Sequence, residues 1–144
     1  MNAVTKALGT TLLLLSVTSA AQAGEPGPGL RCRAESEKLA GRPAAAFDKN
    51  SRGPRKLHAE PLDLVAQADG RQGTGIWLGE VLINQEGKVQ TVWTIRSPRF
   101  EPAWPGFDAI VARNLEQSLY QPTVVDGEAT PVCLVVSVLI DYRR

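Results

Sequence analysis

Apolar and polar side chains alternate with a period of two through the middle of the chain. The stretch is GIWLGEVLINQEGKVQTVWTIRS, residues 75–97, with Gln85 to Lys88 at its centre. Its first half separates into two sets, Trp77, Gly79, Val81 and Ile83 against Leu78, Glu80, Leu82 and Asn84. Successive side chains of a strand point to opposite faces of a sheet. The pattern therefore predicts two strands joined by a short hairpin turn that contains Gly87.

Two stretches with helical spacing flank this hairpin. AEPLDLVAQADG, residues 59–70, has Pro61 at a first helical turn and Gly70 at its end. The apolar face expected there consists of Leu62, Val65 and Ala66. FDAIVARNLEQSLY, residues 107–120, is amphipathic, and its expected apolar face consists of Phe107, Ile110, Val111, Leu115 and Leu119.

A reversal of the chain and a long apolar run complete the sequence. Pro122 cannot continue a helix, and Asp126-Gly127 is typical of a tight turn. PVCLVVSVLIDY, residues 131–142, predicts a strand that is apolar on both faces. The order helix, strand, strand, helix, strand predicts an α+β fold, a small antiparallel sheet with the helices packed on one face.

The N-terminal part of the chain predicts export. Lys6 precedes an apolar stretch centred on residues 12–15, and Ala21-Gln22-Ala23 fits a signal-peptidase site. We interpret residues 1–23 as a cleaved signal peptide. The alternative is an inner-membrane anchor formed by residues 7–23, which are near the lower length limit for a span.

Residues 24–56 are interpreted as an N-terminal arm, and residues 57–144 as the compact domain. The arm is rich in Gly and Pro at its start, has a possible short helix at 31–41, and ends in a basic linker at 49–56. Residues 24–58 carry eight Lys and Arg against four acids, whereas residues 59–144 carry seven against eleven. The chain without residues 1–23 has no net charge, which argues against a nucleic-acid partner. We interpret the arm as a solvated segment lying on its own domain.

Two cysteines, Cys32 and Cys133, remain after the predicted cleavage. An oxidising compartment favours a disulfide between them, and two cysteines with one histidine, His58, cannot supply a structural zinc site.

No nucleophile with a recognisable base is present, so the sequence predicts neither an enzyme nor a cofactor. Glu35 and Glu37 are interpreted as a solvated helix surface, and residues 70–75 as a glycine-rich turn without a phosphate-loop lysine. Trp77, Trp93 and Trp104 could form an aromatic binding surface, but packing roles are the simpler interpretation.

Residues 57–144 resemble the TonB C-terminal domain. The resemblance lies in the order of an alternating strand, a glycine hairpin, a Phe-Asp-opened helix, an aromatic-x-Pro corner, a Pro-Val turn and a last strand. It is carried by Ile83, Gly87, Val89, Ser97, Phe107, Asp108, Tyr120, Pro122, Gly127, Pro131, Val132 and Tyr142. The resemblance implies a periplasmic domain that binds a short segment of an outer-membrane receptor by strand addition. The cleavable leader, the absence of a long Pro-rich spacer and the longer DGEATPV turn depart from the family pattern. These departures put energy transduction in doubt and leave the expected fold unchanged.

The last strand is the candidate partner-binding element. Leu134, Val136, Val138, Ile140 and Tyr142 form one stripe, and a sheet with helices on one side covers only one stripe. The other stripe contains Val135, Ser137, Leu139 and Asp141, and a partner is expected to meet Val135 and Leu139. Three covers remain open at this point: the basic arm, a peptide strand from an envelope protein, and a second copy in a homodimer.

Overall fold

The structure is a computed structural model that describes residues 30–45 and 53–143. The predicted signal peptide, the alternative membrane anchor, the Gly/Pro-rich start of the arm and part of the basic linker lie outside the described residues. The elements are, in chain order, α1 (Leu30–Ala40), β1 (Lys56–His58), α2 (Val65–Ala68), β2 (Gln72–Ile83), β3 (Val89–Arg96), β4 (Arg99–Glu101), α3 (Phe107–Glu116), β5 (Leu119–Tyr120), β6 (Thr123–Val125), β7 (Glu128–Thr130) and β8 (Val132–Tyr142).

The main sheet is antiparallel and is built around β2. β8 pairs with one edge of β2 over eleven residues, from Gly73 opposite Tyr142 to Ile83 opposite Val132. β3 and β4 pair with successive parts of the other edge. The predicted hairpin between β2 and β3 and the predicted last strand are confirmed, and the α+β class is confirmed with them. Gly87 has a φ of +84°, the left-handed conformation that the hairpin turn requires.

One face of the main sheet, which we call the core face, packs against α3 and the residues around α2. The core face contains Trp77, Val81 and Ile83 of β2 and Ile140 of β8. Their helical partners are Phe107, Val111 and Leu115 of α3, together with Leu64. These side chains are nearly inaccessible to solvent, so this face holds the hydrophobic core.

The opposite face of the sheet, the second face, is partly covered by α1. The disulfide between Cys32 and Cys133 joins α1 to β8, and the Cys32 N–H donates a hydrogen bond to a carboxylate oxygen of Glu80 on β2 at 2.7 Å. Glu80 and Cys133 both belong to the set of β2 and β8 side chains that points away from the core. The two helices of the predicted order, α2 and α3, lie beside the core face as expected. α1 belongs to the arm and adds a helix on the opposite face, where the sequence shows no apolar periodicity.

Both helices next to the core are shorter than expected. α2 has four residues, of which Ala68 is buried, and Leu64 is buried just before it, whereas Val65 is 70% exposed and Ala66 is also exposed. The predicted apolar face is therefore wrong at Val65 and Ala66. Leu62 does pack against the core, but it precedes the helix, which begins four residues after Pro61. α3 ends at Glu116, so Leu119 lies in β5 and does not extend the helical face.

Two small ribbons connect α3 to β8. β5 pairs with β1, and the N–H of Tyr120 donates a hydrogen bond to the carbonyl of Gly87 at 2.8 Å. β6 and β7 form a hairpin around Asp126 and Gly127, both with positive φ. The predicted turn at Asp126-Gly127 is thus confirmed, and it closes a separate ribbon before the chain enters β8.

Candidate functional site

The four candidate residues of β8 lie together on the second face. Val135 is 50% exposed and Leu139 is 76% exposed. Ser137, which lies between them, and Asp141, which follows Leu139 on the same face, are also exposed. We call these four residues the open stripe. The alternate residues of β8 from Leu134 to Tyr142 pack on the core, as expected from the spacing. The structure thus separates the strand into one covered and one solvent-facing side, although both are rich in apolar residues.

Among the described residues, the outer edge of β8 is unpaired over most of its length. One edge of the strand is occupied by β2. On the other edge, among the described residues, only Ala45 pairs with β8, through an isolated parallel bridge to Val132. The N–H of Ala45 donates to the carbonyl of Pro131 at 2.8 Å. Beyond Val132, no described strand lies beside β8, so this edge is unpaired within residues 30–45 and 53–143.

β2 extends the apolar surface beside the open stripe. In the antiparallel register, Leu139 lies opposite Ile76 and Ser137 lies opposite Leu78. Ile76 is 39% exposed and Leu78 is partly buried. We call Ile76, Leu78, Val135 and Leu139 the apolar patch. Scattered exposed apolar residues are normal, but a contiguous group next to an unpaired strand edge is a feature of binding surfaces.

α1 closes one end of this surface. The carboxylate of Glu80, which is buried, accepts a hydrogen bond from the Cys32 N–H in the first turn of α1, where backbone N–H groups lack partners within the helix. The guanidinium of Arg31 lies 5.8 Å from the ring centre of Trp93 on β3. α1 therefore covers the Cys133 end of the second face. Val135 and Leu139 remain exposed beyond it.

The arm leaves α1 and returns close to the same end of β8. The guanidinium of Arg42 bonds to Glu128 and to the carbonyl of Ala129 in β7. Gly53, where the described chain resumes, has the side chain of Leu134 beside it. The described parts of the arm thus cover the start of β8, and the interpretation of a segment lying on its own domain agrees with these contacts.

Charges lie at the far end of β8. Asp141 forms an ion pair with Arg143 at 2.7 Å, and both side chains are well exposed. Such a surface pair contributes little to stability. The phenol of Tyr142 points to the other side of the strand, where burial, and to a lesser extent the nearby Asp63 carboxylate, raises its pKa. From Val132 to Ile140 the strand carries no charged side chain.

The three tryptophans have different surroundings. Trp77 is buried in the core, Trp93 lies under Arg31, and Trp104 packs edge-on against Phe100 and Phe107. They do not form one aromatic surface. The cluster of Phe100, Trp104 and Phe107 borders a cleft of about 510 Å³ in the loop before α3, a feature that the sequence reasoning did not identify.

The other chemistry-bearing residues are dispersed. His58 is exposed and bonds to Glu60 at 2.8 Å. Within residues 30–45 and 53–143, no group of three His, Cys, Asp or Glu side chains is arranged to hold a metal ion. In the same ranges, the structure contains no helix of the length and apolarity needed to cross a bilayer.

Comparison with known proteins adds no identification. No protein-family model matches the chain, and no curated protein matches it. The resemblance of residues 57–144 to the TonB C-terminal domain therefore stays a prediction.

Proposed function

We propose that this protein is a non-enzymatic periplasmic interaction module, similar to the TonB C-terminal domain, that binds an extended segment of an envelope protein. The observation that carries the proposal is the unpaired outer edge of β8 beyond Val132 in the described part of the chain. In this proposal, the partner is a segment of an outer-membrane receptor, and the domain has an accessory role in outer-membrane transport. The proposal does not include energy transduction.

Strand addition suits the chemistry of this edge. An added strand forms main-chain hydrogen bonds with β8, which supply affinity for many sequences. Its alternate side chains meet Val135 and Leu139 on the second face, and these contacts supply selectivity. Since Val135 and Leu139 are four residues apart on the same face, the bound segment presents apolar side chains at the same spacing.

The disulfide supports the compartment in this proposal. Cys32 and Cys133 are bonded, and structural disulfides are typical of exported proteins. The bond also fixes α1 at one end of β8, which leaves the Val135 to Tyr142 part of the edge for a partner.

In-cell photocrosslinking tests the proposal. A photoreactive residue at Ser137, whose side chain is exposed, is expected to capture an outer-membrane protein through one extended segment that mass spectrometry identifies. Val135→Lys is expected to abolish this crosslink and to leave the circular dichroism spectrum and the melting temperature nearly unchanged. The matched control is Val124→Lys, because Val124 is 62% exposed in the β6–β7 ribbon and lies outside β8.

Two results would count against strand addition. If Val135→Lys unfolds the protein and removes the crosslink together, Val135 is part of the core and not of an interface. If Ser137 captures only a second copy of the chain, the domain is self-associating and has no receptor partner of this kind.

A further inference from the structure

Arg71, the residue before β2, is a half-buried cation. Among the Lys and Arg side chains of residues 30–45 and 53–143, all but Arg42 and Arg71 are exposed. Arg42 forms an ion pair with Glu128, whereas no carboxylate of the same ranges lies within ion-pair distance of Arg71. A charge that is removed from water without an opposite charge is unfavourable, so the guanidinium of Arg71 gains from a negatively charged ligand.

Neutral groups hold the guanidinium of Arg71 in place. Its Nε donates a hydrogen bond to the carbonyl of Ala103 at 3.3 Å, and its Nη1 donates to the carbonyl of Ala68 at 3.2 Å. The guanidinium carbon also lies 5.7 Å from the ring centre of Trp104. These two bonds use two of the five N–H groups of the guanidinium, and the other three have no acceptor in the described part of the chain. Arg71 is therefore oriented in advance and retains donors for a ligand.

Arg71 lines a cavity of about 260 Å³ at one end of the main sheet. The cavity lies between the end of α2, the start of β2 and the end of β8, and the sheet register brings the two strand ends together by pairing Gly73 with Tyr142. Its lining combines apolar and polar side chains: Val65, Ala68, Gln72, Asp141, Tyr142 and Arg143. A small concave site with apolar walls and a few polar groups is typical of ligand-binding pockets.

The lining carries one uncompensated positive charge. Asp141 and Arg143 form an ion pair at 2.7 Å, so their charges cancel and the charge of Arg71 remains. Burial, and to a lesser extent the nearby Asp63 carboxylate, raises the pKa of Tyr142, so its phenol stays protonated and can donate a hydrogen bond. One net positive charge beside a neutral donor matches a ligand with a single negative charge.

We propose that this cavity, which we call the Arg71 cavity, binds a carboxylate that is attached to a small apolar group. Guanidinium groups bind carboxylates through paired N–H···O bonds, and a carboxylate carries a single charge, whereas a phosphate monoester carries about 1.5–2 at neutral pH. The walls at Val65 and Ala68 accommodate the apolar group, and a volume of about 260 Å³ limits its size. The ligand is either a free small acid or the C-terminal residue of a peptide. The site does not depend on strand addition at the outer edge of β8.

An NMR titration of the unmodified protein with N-acetylvaline, which has one carboxylate and an isopropyl group, tests the proposal. The amide signals of Gly70, Arg71, Gln72 and Arg143 are expected to shift and to saturate at millimolar concentrations of this ligand. The uncharged N-acetylvaline amide is the matched ligand control and is expected to cause no saturating shift. Isobutyrate separates the two sources of the carboxylate: binding equal to that of N-acetylvaline indicates a free acid, and clearly weaker binding indicates the C-terminus of a peptide.

Three variants connect the shifts with the cavity. Arg71→Gln is expected to weaken binding about tenfold or more, and Tyr142→Phe, which keeps the contacts of Arg71, is expected to weaken it about threefold. Arg99→Gln is the control and is expected to bind like the unmodified protein, because Arg99 is an exposed residue of β4 outside the cavity.

Two results would overturn the proposal. If the unmodified protein shows no saturating shift at about 50 mM N-acetylvaline, Arg71 only fastens the loop at Ala103 to the end of α2. If inorganic phosphate binds more tightly than N-acetylvaline, the cavity is not a carboxylate site. Neither result bears on the crosslink from Ser137, so the two proposals fail separately.

Discussion

Removal of the disulfide by the double substitution Cys32→Ala and Cys133→Ala tests how the arm is held on the sheet. The two cysteines are 101 positions apart, and their bond closes nearly the whole compact domain into one loop. In the chain-entropy treatment, a loop of this length contributes about 4.7 kcal/mol at room temperature. Removal of native disulfides from small exported domains lowers the free energy of unfolding by about 2–5 kcal/mol.

The contacts of α1 indicate which part of the structure is destabilised when the disulfide is removed. Only Cys32 and Ser36 of this eleven-residue helix are buried, so burial of apolar surface holds it weakly. Its other attachments are polar: the Glu80 carboxylate at Cys32, Gln85 and Gln90 side chains at the last carbonyls, and Arg31 over Trp93. Helices of this length are marginal in isolation. Without the disulfide, we expect α1 to open locally while β2 and β8 stay paired.

Hydrogen exchange and thermal unfolding measure the two parts of this prediction. The amides of α1 are expected to lose protection, whereas those of β2 and β8 keep it. The melting temperature is expected to fall by about 10 °C or more, since about 1 kcal/mol corresponds to about 4–8 °C for a domain of this size. Leu30→Ala is the control, because Leu30 is an exposed residue of the same helix.

The reasoning is refuted if the double variant has the same melting temperature as the unmodified protein and the amides of α1 keep their protection from hydrogen exchange. The polar contacts would then be sufficient to hold the arm. The reduced, unmodified protein provides a second comparison, because it loses the bond and retains both sulfur atoms.

Three further predictions concern the hairpin, the last strand and processing. Gly87→Ala is expected to lower the free energy of unfolding, measured by urea titration, by more than about 2 kcal/mol, because an added Cβ would lie 2.0 Å from the carbonyl oxygen of Tyr120. Gly127→Ala is the control: Gly127 has a φ of +80°, and an added Cβ would meet no atom within 4 Å. This control substitution is expected to lower the free energy of unfolding by about 1–2 kcal/mol. The pKa of Tyr142 is raised from 10.0 by burial and by Asp63, so the neutral phenol stabilises the fold below pH 10 and this contribution is lost above it. Ultraviolet titration should show a late-ionising phenol that Tyr142→Phe removes. N-terminal sequencing of the exported protein is expected to begin at or within a residue or two of Gly24, and an intact Met1 in membranes would support the anchor instead.

Strong periodicity made most of the central fold predictable. β2, β3 and β8 are long enough for the alternation of side chains to specify both the strand and its buried face, and α3 has a clear helical spacing. The cysteine pair followed from an even cysteine count in a chain for which the sequence predicts export. The open stripe was predictable from the sequence of β8, because this strand is apolar on both faces and a single layer of helices covers only one of them.

The remaining elements lacked such a signal or had a weaker one. The buried positions of α1, Cys32 and Ser36, are not an apolar stripe, so its place on the second face could not be predicted. β1 and β4 have three residues each, too few for a pattern. The start of α2 depends on the Asp63 side chain, which accepts a hydrogen bond from the Ala66 N–H at 3.1 Å and sets the helix after Pro61. The β6–β7 ribbon had a usable signal, since Asp-Gly directly after the β-branched run Thr123–Val125 is typical of a tight hairpin.

The pairing of β2 with β8 also determines when the arm can be fixed. The paired residues are between 132 − 83 = 49 and 142 − 73 = 69 positions apart, so the sheet forms by slow, non-local contacts. Synthesis proceeds from the N-terminus, and α1 therefore leaves the ribosome long before the strand to which it is bonded. Until residue 133 has emerged, Cys32 has no partner thiol within its own chain, and pairing of β8 with β2 then brings the two cysteines together. Oxidative closure of this domain is consequently a late event in its maturation, and a chain that stops before Cys133 carries Cys32 as an unpaired thiol.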